Sequence, residues 1–388
     1  MSEVWYDNTL GLDPATPLEE SLKALPARWA VYLMCDTAGR PVQMLAVKNL
    51  RASVKRRLSE DAPDALTKRV DYRAVVRQIR YRRVDSALES DLAYVDVARQ
   101  VFPQTYRQLL AQRPAWFVQV NPDAPFPRWQ RTEDPMSPGE VFGPIQEKGQ
   151  AAKLVESIED LFDLCRYYNI LTQSPHGSAC AYKDMGKCPA PCDGSVSMQQ
   201  YRSLIDWSLA TMRDPQTEIE QQQDRMKSAA SDLRFETAGK IKQFVDQLST
   251  LRKGDYRHVR PMRDFRYLSV QPGPRKAQVK LFSITPGSVE CVACLRDEPK
   301  ELLLRLPAIE SLTRPIEGTA FDAESLGVAV RHLFMSKPAG VFLHGDDLTD
   351  RSLASAYKQL AKREPKLDET DDEGVVAELK PMTFSVTA

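Results

Sequence analysis

The chain carries no net charge. Over 388 residues, 53 Lys and Arg stand against 53 Asp and Glu, so the overall balance points to no acidic ligand. It also lacks any apolar run of membrane-spanning length. Its start, Met-Ser-Glu-Val-Trp-Tyr-Asp, has neither the basic opening nor the apolar core of a signal peptide. Together these absences predict a cytoplasmic protein. Cysteine is scarce as well, seven in all. Without a secretion signal such a chain has little use for clustered disulfides, and any clustering of its few cysteines becomes informative. The length itself allows about two to four domains, with chain enough to bury real cores.

Four of the seven cysteines do cluster. Cys165, Cys180, Cys188 and Cys192 fall within 28 residues, spaced C-x14-C-x7-C-x3-C. The last part reads Cys188-Pro-Ala-Pro-Cys192, a tight turn that can aim two thiolates at one point. Four soft sulfur ligands suit an iron–sulfur cluster or tetrahedral zinc. His176, inside the long gap, is an alternative ligand, although a loop histidine is more often just solvated. The competing reading is separate buried cysteines acting as small hydrophobes. Cys291 and Cys294 form a lone C-x2-C inside a strand pattern, where side chains do not converge, and are read as packing.

Charge is uneven even though it sums to zero. Between Lys48 and Arg83 a run of lysines and arginines faces only Glu60, Asp61, Asp64 and Asp71. Lys48, Arg51, Lys55, Arg56, Arg57, Arg73, Arg77 and Arg80 are the candidates for tracking a phosphate backbone, with a solvated helix face as the competing reading. The tail around Asp368 to Glu373 is acidic and is expected to be disordered.

Apolar periodicity gives the elements. Residues 29–35 and 42–47 flank the turn Asp36-Thr-Ala-Gly39 and read as a β-hairpin, after which Asn49 can cap a basic helix to about Leu58. Ser86 to Val101 has helical spacing, and strands are expected at 116–120 and 128–131. Residues 150–168 read as a helix leading to Cys165, with the other three cysteines on a loop. From Glu218 to about Leu251 lies the clearest helical signal. Ile219, Met226, Ala229, Ala230 and Leu233 share one face, and Ala238, Ile241, Val245 and Leu248 the next, which makes an antiparallel hairpin. Such a hairpin buries too little apolar area alone and should pair with a partner or with its own chain. Strands at 265–270, 278–284, 290–295 and 340–344, with helices at 324–336 and 351–362, complete a small α/β unit.

Taken together, these segments resemble the UvrC family of excinucleases in bacterial nucleotide excision repair, over roughly residues 26 to 363. The match is carried by Leu25-Pro26 before Val31-Tyr32-Leu33-Met34, by Lys48-Asn49-Leu50-Arg51, by Phe126-Pro-Arg128 and by Phe142-Gly143-Pro144. The cysteine loop and the hairpin Met226-x2-Ala229-Ala230-x2-Leu233-x-Phe235-Glu236-x-Ala238 are its most specific parts. The fold class it implies is a multidomain α/β (α+β) protein. After an N-terminal extension (1–25) come a GIY-YIG-like domain with a small mixed sheet and helices (26–108) and a strand pair with a Cys-rich helical region (109–200). A helical hairpin (201–253), a partial RNase H-like α/β domain (260–363) and the tail (364–388) follow. By this resemblance the cluster is iron–sulfur rather than zinc. The hairpin would bind the helicase subunit of the excinuclease through Met226, Ala230, Leu233, Phe235, Glu236 and Ile241, and DNA would be the other partner.

The resemblance also implies chemistry that this chain does not carry intact. A GIY-YIG nuclease uses two tyrosines to position or deprotonate the attacking water, an arginine to stabilise the phosphorane and a glutamate to hold one divalent metal. Only the first tyrosine is present, as a vestigial Tyr32. The glycine before it is Ala30, the second motif reads Gln43-Met44-Leu45, the arginine position falls on Ser53 and the metal glutamate on Tyr94. Losing one oxyanion-type contact typically costs about 10²- to 10³-fold. The acidic set of the RNase H-like domain lies beyond the region of similarity, so the second centre is expected to be missing too. The reading is a nuclease-deficient relative that binds DNA or the helicase subunit in a DNA-damage context. An active single-site endonuclease would need Arg51, Glu89, Asp91 or Asp96 to take over the lost roles. A third reading is a redox-responsive DNA-binding regulator.

Overall fold

A computed structural model describes residues 5–59, 71–110, 114–251, 253–295 and 321–361. The acidic tail, together with Lys68 and Arg69, lies outside the described residues. The chain divides into two compact units, one of Met1–Arg113 with Arg266–Arg314 and Gly327–Ala388, the other of Pro114–Phe265 with Pro315–Leu326. The described residues are mixed α and β, with three small sheets among them.

In the first unit the expected hairpin forms from β2 (Ala30–Cys35) and β3 (Pro41–Val47). Two further strands join it, β1 (Asn8–Gly11) and β4 (Gln78–Arg83), in the order β1-β4-β2-β3. Every pairing is antiparallel, so this sheet is not the mixed one expected. In the sequence of β4, Arg80, Arg82 and Arg83 mask the alternation, and Ile79 and Tyr81 carry its buried face. The sheet splits the core in two. Tyr32 and Met34 pack with Leu50, Val54 and Leu58 of the basic helix Leu50–Leu58, which Asn49 caps by accepting from the Ala52 N–H. Val31 and Leu33 point the other way, onto Ala93, Tyr94 and Val97 of the helix Ala87–Val101, capped by Ser86.

The second sheet of this unit uses β9 (Tyr267–Pro272), β10 (Val279–Ile284), β11 (Val289–Leu295) and β12 (Val341–His344), in the order β11-β10-β9-β12. Leu353, Ala356, Tyr357 and Leu360 of the helix Asp350–Ala361 cover one face of it. Cys291 and Cys294 on β11 are both exposed among the described residues, which corrects their reading as packing: β11 is an edge strand of its sheet.

The second unit is built around β5 (Trp116–Val120), β6 (Trp129–Thr132), β7 (Glu140–Ile145) and β8 (Arg260–Pro261), in the order β6-β5-β7-β8. β7 holds the Phe142-Gly143-Pro144 stretch, and a Cβ at Gly143 would sit 2.5 Å from a Phe117 ring carbon, so only glycine fits. The helices Lys148–Leu161 and Met198–Arg213 close a core of Val118, Trp129, Phe142, Leu154, Ile158, Tyr201 and Ile205. The first of these helices stops at Leu161, short of the expected 168, because Asp163 takes a left-handed conformation. The hairpin follows as helices Pro215–Ser231 and Phe235–Thr250. No helix among the described residues is long and apolar enough to cross a membrane.

Candidate functional site

On the basic-helix face of the first sheet the Tyr32 hydroxyl lies 3.1 Å from Ser53 Oγ, both fully buried. Arg57, one turn further along the same helix, donates to that Ser53 oxygen at 3.1 Å. Gln43, at the second-tyrosine position, faces the same side, since it pairs with Met34 as Leu45 pairs with Tyr32. Its Oε1 is buried and has no hydrogen-bond partner among the described residues. Tyr94, at the metal-glutamate position, packs on the opposite face, and burial pushes its phenol up to about 12. At the expected arginine position stands a serine hydroxyl that touches both the Tyr32 hydroxyl and the Arg57 guanidinium, and the sheet separates it from Tyr94 at the expected metal-glutamate position.

Each of the four residues that could take over a lost role makes a contact of its own. Arg51 is engaged by the Leu25 and Lys23 carbonyls, at 2.8 and 3.1 Å. Lys280 Nζ sits 2.6 Å from both Asp85 and Glu89. Asp91, 4% exposed, hydrogen-bonds His332 Nε2 at 2.8 Å. These contacts lie along an apolar seam of Leu88, Leu92 and Val95 against Phe282 and Val328. The fourth, Asp96, has an interaction of its own.

The basic candidates do not form one patch. Lys55 and Arg56 are exposed on the helix, Lys55 paired to Glu19 at 2.8 Å, and exposed Lys48 lies over the Trp29 ring. Arg77 donates to the Arg73 and Val76 carbonyls. Arg80 alternates with buried Ile79 and Tyr81, which puts it on the far side of the sheet, over the Tyr6 ring. Arg73 is exposed on the short helix Tyr72–Val75.

In the second unit Cys165, Cys188 and Cys192 are buried, while Cys180 is half-exposed at the start of the short helix Ala181–Asp184. The turn between Cys188 and Cys192 is held tight by Ala190 at φ +56°, buried between its two prolines. Cys165 and Cys188 share a hydrogen bond that, with burial, pushes the Cys165 thiol far up. The same bond holds Cys188 well below the usual thiol range, against its own burial and with help from the Ala190 backbone and Arg166. Cys192 is raised by burial and by neighbouring Asp193 and Cys188. Three sulfurs are thus buried and influence one another, and one of them favours the thiolate form. The four-sulfur convergence expected from the spacing is not met. Among the described residues no group of three or more His, Cys, Asp or Glu is arranged to hold an ion. His176 is exposed.

The hairpin is buried at its base and bare at its tip. Phe244 stacks on Trp207, ring centroids 5.6 Å apart, and Val245, Leu248 and Leu251 are buried. Met226, Ala230 and Ile241 are half-buried, Glu236 exposed. Leu233 is not on a helical face, as the periodicity implied. It lies past the end of the first helix in the left-handed region, φ +60°, where its N–H reaches the Ala230 carbonyl and that of Arg234 the Ala229 carbonyl. This helix-ending turn favours glycine. Here a leucine occupies it, 73% exposed, two residues from Phe235 at 66%.

The profile described as "UvrC/Cho excinuclease, middle domain" matches residues 115–211. Proteins called UvrABC system protein C are similar over more of the chain. That of Nautilia profundicola is 24% identical over 278 residues, covering 70% of this chain and 44% of its own. That of Caldanaerobacter subterraneus subsp. tengcongensis is 24% identical over 243, covering 61% and 38%. That of Syntrophotalea carbinolica is 26% identical over 234, covering 58% and 36%. The chain therefore spans less than half the length of these relatives. No solved structure matches.

Proposed function

From the premise that this chain is a relative of UvrABC system protein C, we propose that it is a nuclease-deficient binding protein of nucleotide excision repair, docking on the helicase subunit of the excinuclease and on DNA. The observation that carries this reading is the hairpin tip. Leu233 and Phe235 stand largely in water, and Leu233 does so in a backbone conformation that costs a leucine about 1–2 kcal/mol. Strain and apolar exposure at one turn are what a docking anchor requires, and a packing element has no use for either. Glu236, in the first turn of the second helix, favours that helix's N-terminal dipole and can meet a basic partner residue.

Loss of cutting is supported by Ser53 beside Tyr32 and by the basic side chains already seated on Asp85, Glu89 and Asp91. Salt-sensitive DNA contact falls to exposed Lys48, Lys55 and Arg56. Cys165, Cys188 and Cys192, joined by Cys180 from its loop, would hold an iron–sulfur cluster or zinc as a clip on a segment with little core of its own.

The test is binding of the full chain to the purified helicase subunit. Phe235→Ala should weaken the complex by about 2 kcal/mol with melting temperature unchanged. Leu233→Gly should raise stability by about 1 kcal/mol, since it relieves a left-handed leucine, while also weakening the complex. Full-strength binding by both variants would make the tip an idle turn and sink the reading.

A further inference from the structure

We propose that the segment leaving the cysteine core, Arg166-Tyr167-Tyr168, is a stacking platform for single-stranded DNA. The inference rests on the reading above only in taking the ligand to be DNA; it needs neither the hairpin nor the helicase subunit.

Tyr167 and Tyr168 leave 46% and 42% of their surfaces in water, large fractions for rings beside a packed core. Tyr168 is already set in a cation–aromatic arrangement, and Tyr167 packs on the ring of a second one. The Arg128 guanidinium lies 4.1 Å from the Tyr168 ring centroid. Tyr167 packs at 5.9 Å against Tyr182, whose other neighbour is the Arg166 guanidinium at 4.2 Å. A tyrosine with a guanidinium beside it can offer its free surface to a base and the cation to the adjoining phosphate.

The platform is also rigid. The Cys165 N–H donates to the Tyr201 hydroxyl, the Tyr167 carbonyl accepts from the Leu171 N–H at 2.9 Å, and Arg166 donates to the Lys187 carbonyl, next to Cys188. Rings held this way lose little freedom on binding.

Charge selects the kind of ligand. Asp160 pairs with Arg166 and Asp193 with Lys183, while Arg128 and Lys187 are in no ion pair among the described residues. A surface with two rings and two spare cations suits a strand whose bases are unstacked. A duplex hides those faces, so the platform should discriminate between the two forms.

The experiment measures fluorescence anisotropy of a labelled oligo-dT, about 20 nucleotides long to exceed one binding site, and of a duplex of equal length, with the full chain at low salt. The parent should bind the single strand. Tyr167→Leu with Tyr168→Leu, which keeps the apolar bulk, should weaken that binding about tenfold or more and leave duplex binding within about twofold. Tyr168→Trp should restore it. Melting curves of the variants separate loss of the platform from loss of the fold. Should Tyr168→Leu alone melt early, Arg128→Gln, which disturbs no backbone, gives the same reading with an expected loss of about threefold or more. A parent that ignores the single strand, or ring-free variants that bind it undiminished, would overturn the proposal. So would equal losses for strand and duplex, which would reduce the surface to a general cation patch. Because binding to the helicase subunit is measured separately through Phe235, failure of one leaves the other standing.

Discussion

The Tyr32 hydroxyl and Ser53 Oγ lie 3.1 Å apart inside the first unit, closed off from solvent. A catalytic tyrosine must reach a water and a phosphate, and this one reaches a serine that Arg57 also contacts. Tyr32→Phe should cost about 1 kcal/mol of stability, the usual net worth of one hydrogen bond, with Arg57 still serving Ser53. Plasmid nicking with magnesium or manganese should be absent from parent and variant alike. Metal-dependent nicking that disappears with the hydroxyl would reverse the assignment.

Lys280 closes the acidic start of the helix Ala87–Val101, midway between Asp85 and Glu89. Burial alone would lower its pKa, but the hydrogen bonds to both carboxylates outweigh that and hold it above the ordinary lysine value. Lys280→Met leaves two part-buried carboxylates facing each other and should destabilise by about 2 kcal/mol at neutral pH. The folded-state value is raised, so the contribution is complete below the ordinary lysine pKa of about 10.4 and is lost as pH rises through the raised value. Denaturation midpoints of parent and variant should accordingly stay parallel from about pH 7 to about 10 and converge only above that. A gap already closing at about pH 8 would mean the ammonium is not what holds this seam.

Much of the fold was legible because apolar spacing carries it: the hairpin at 30–47, both capped helices after it and the last α/β unit follow their patterns. β4 was hidden because its solvent-side residues are arginines where a strand reading looks for β-branched or aromatic chains. The site was legible as substitutions, Ser53 and Tyr94 among them, but not as geometry. That Tyr94 and Tyr32 lie on opposite faces follows from strand alternation together with the path of a later helix, and no local pattern encodes it. Lys280 and His332 lie 191 and 241 residues from their acidic partners, a separation no motif spans. Leu233 misled because it continues a helical spacing past the turn that ends the helix.

The cysteine site makes a spectroscopic prediction. Protein purified without oxygen should carry either broad visible absorbance, the mark of iron–sulfur, or bound zinc, and Cys188→Ser should abolish both, since the sulfur held lowest in pKa is the readiest ligand. Cys180→Ser should weaken metal retention less, because Cys180 is the one sulfur of the four outside the buried group. Parent protein with neither chromophore nor zinc would return the three buried thiols to plain packing.

Glu159 offers a test of the core beneath that site. It lies on the helix Lys148–Leu161, 9% exposed, and burial pushes its carboxyl up to about 7 from 4.5, with Arg166 pulling the other way. A raised carboxyl pKa means the fold prefers the neutral form. Both folded and unfolded chains are protonated below about pH 4, where the group costs nothing. As pH rises from there to about 7 the unfolded chain ionises first, and the native state loses ground until Glu159 ionises as well. A tenfold change in proton affinity between the two states is worth about 1.4 kcal/mol, so the accumulated cost by about pH 8 is on the order of 3 kcal/mol. Glu159→Gln should therefore match the parent at about pH 4 and be the more stable protein at about pH 8, the gap opening between those limits. Chemical denaturation of both proteins across that range measures it. A gap of equal size at both ends would assign the difference to packing, and a parent more stable at the alkaline end would mean the charged carboxylate has a partner that outweighs its burial.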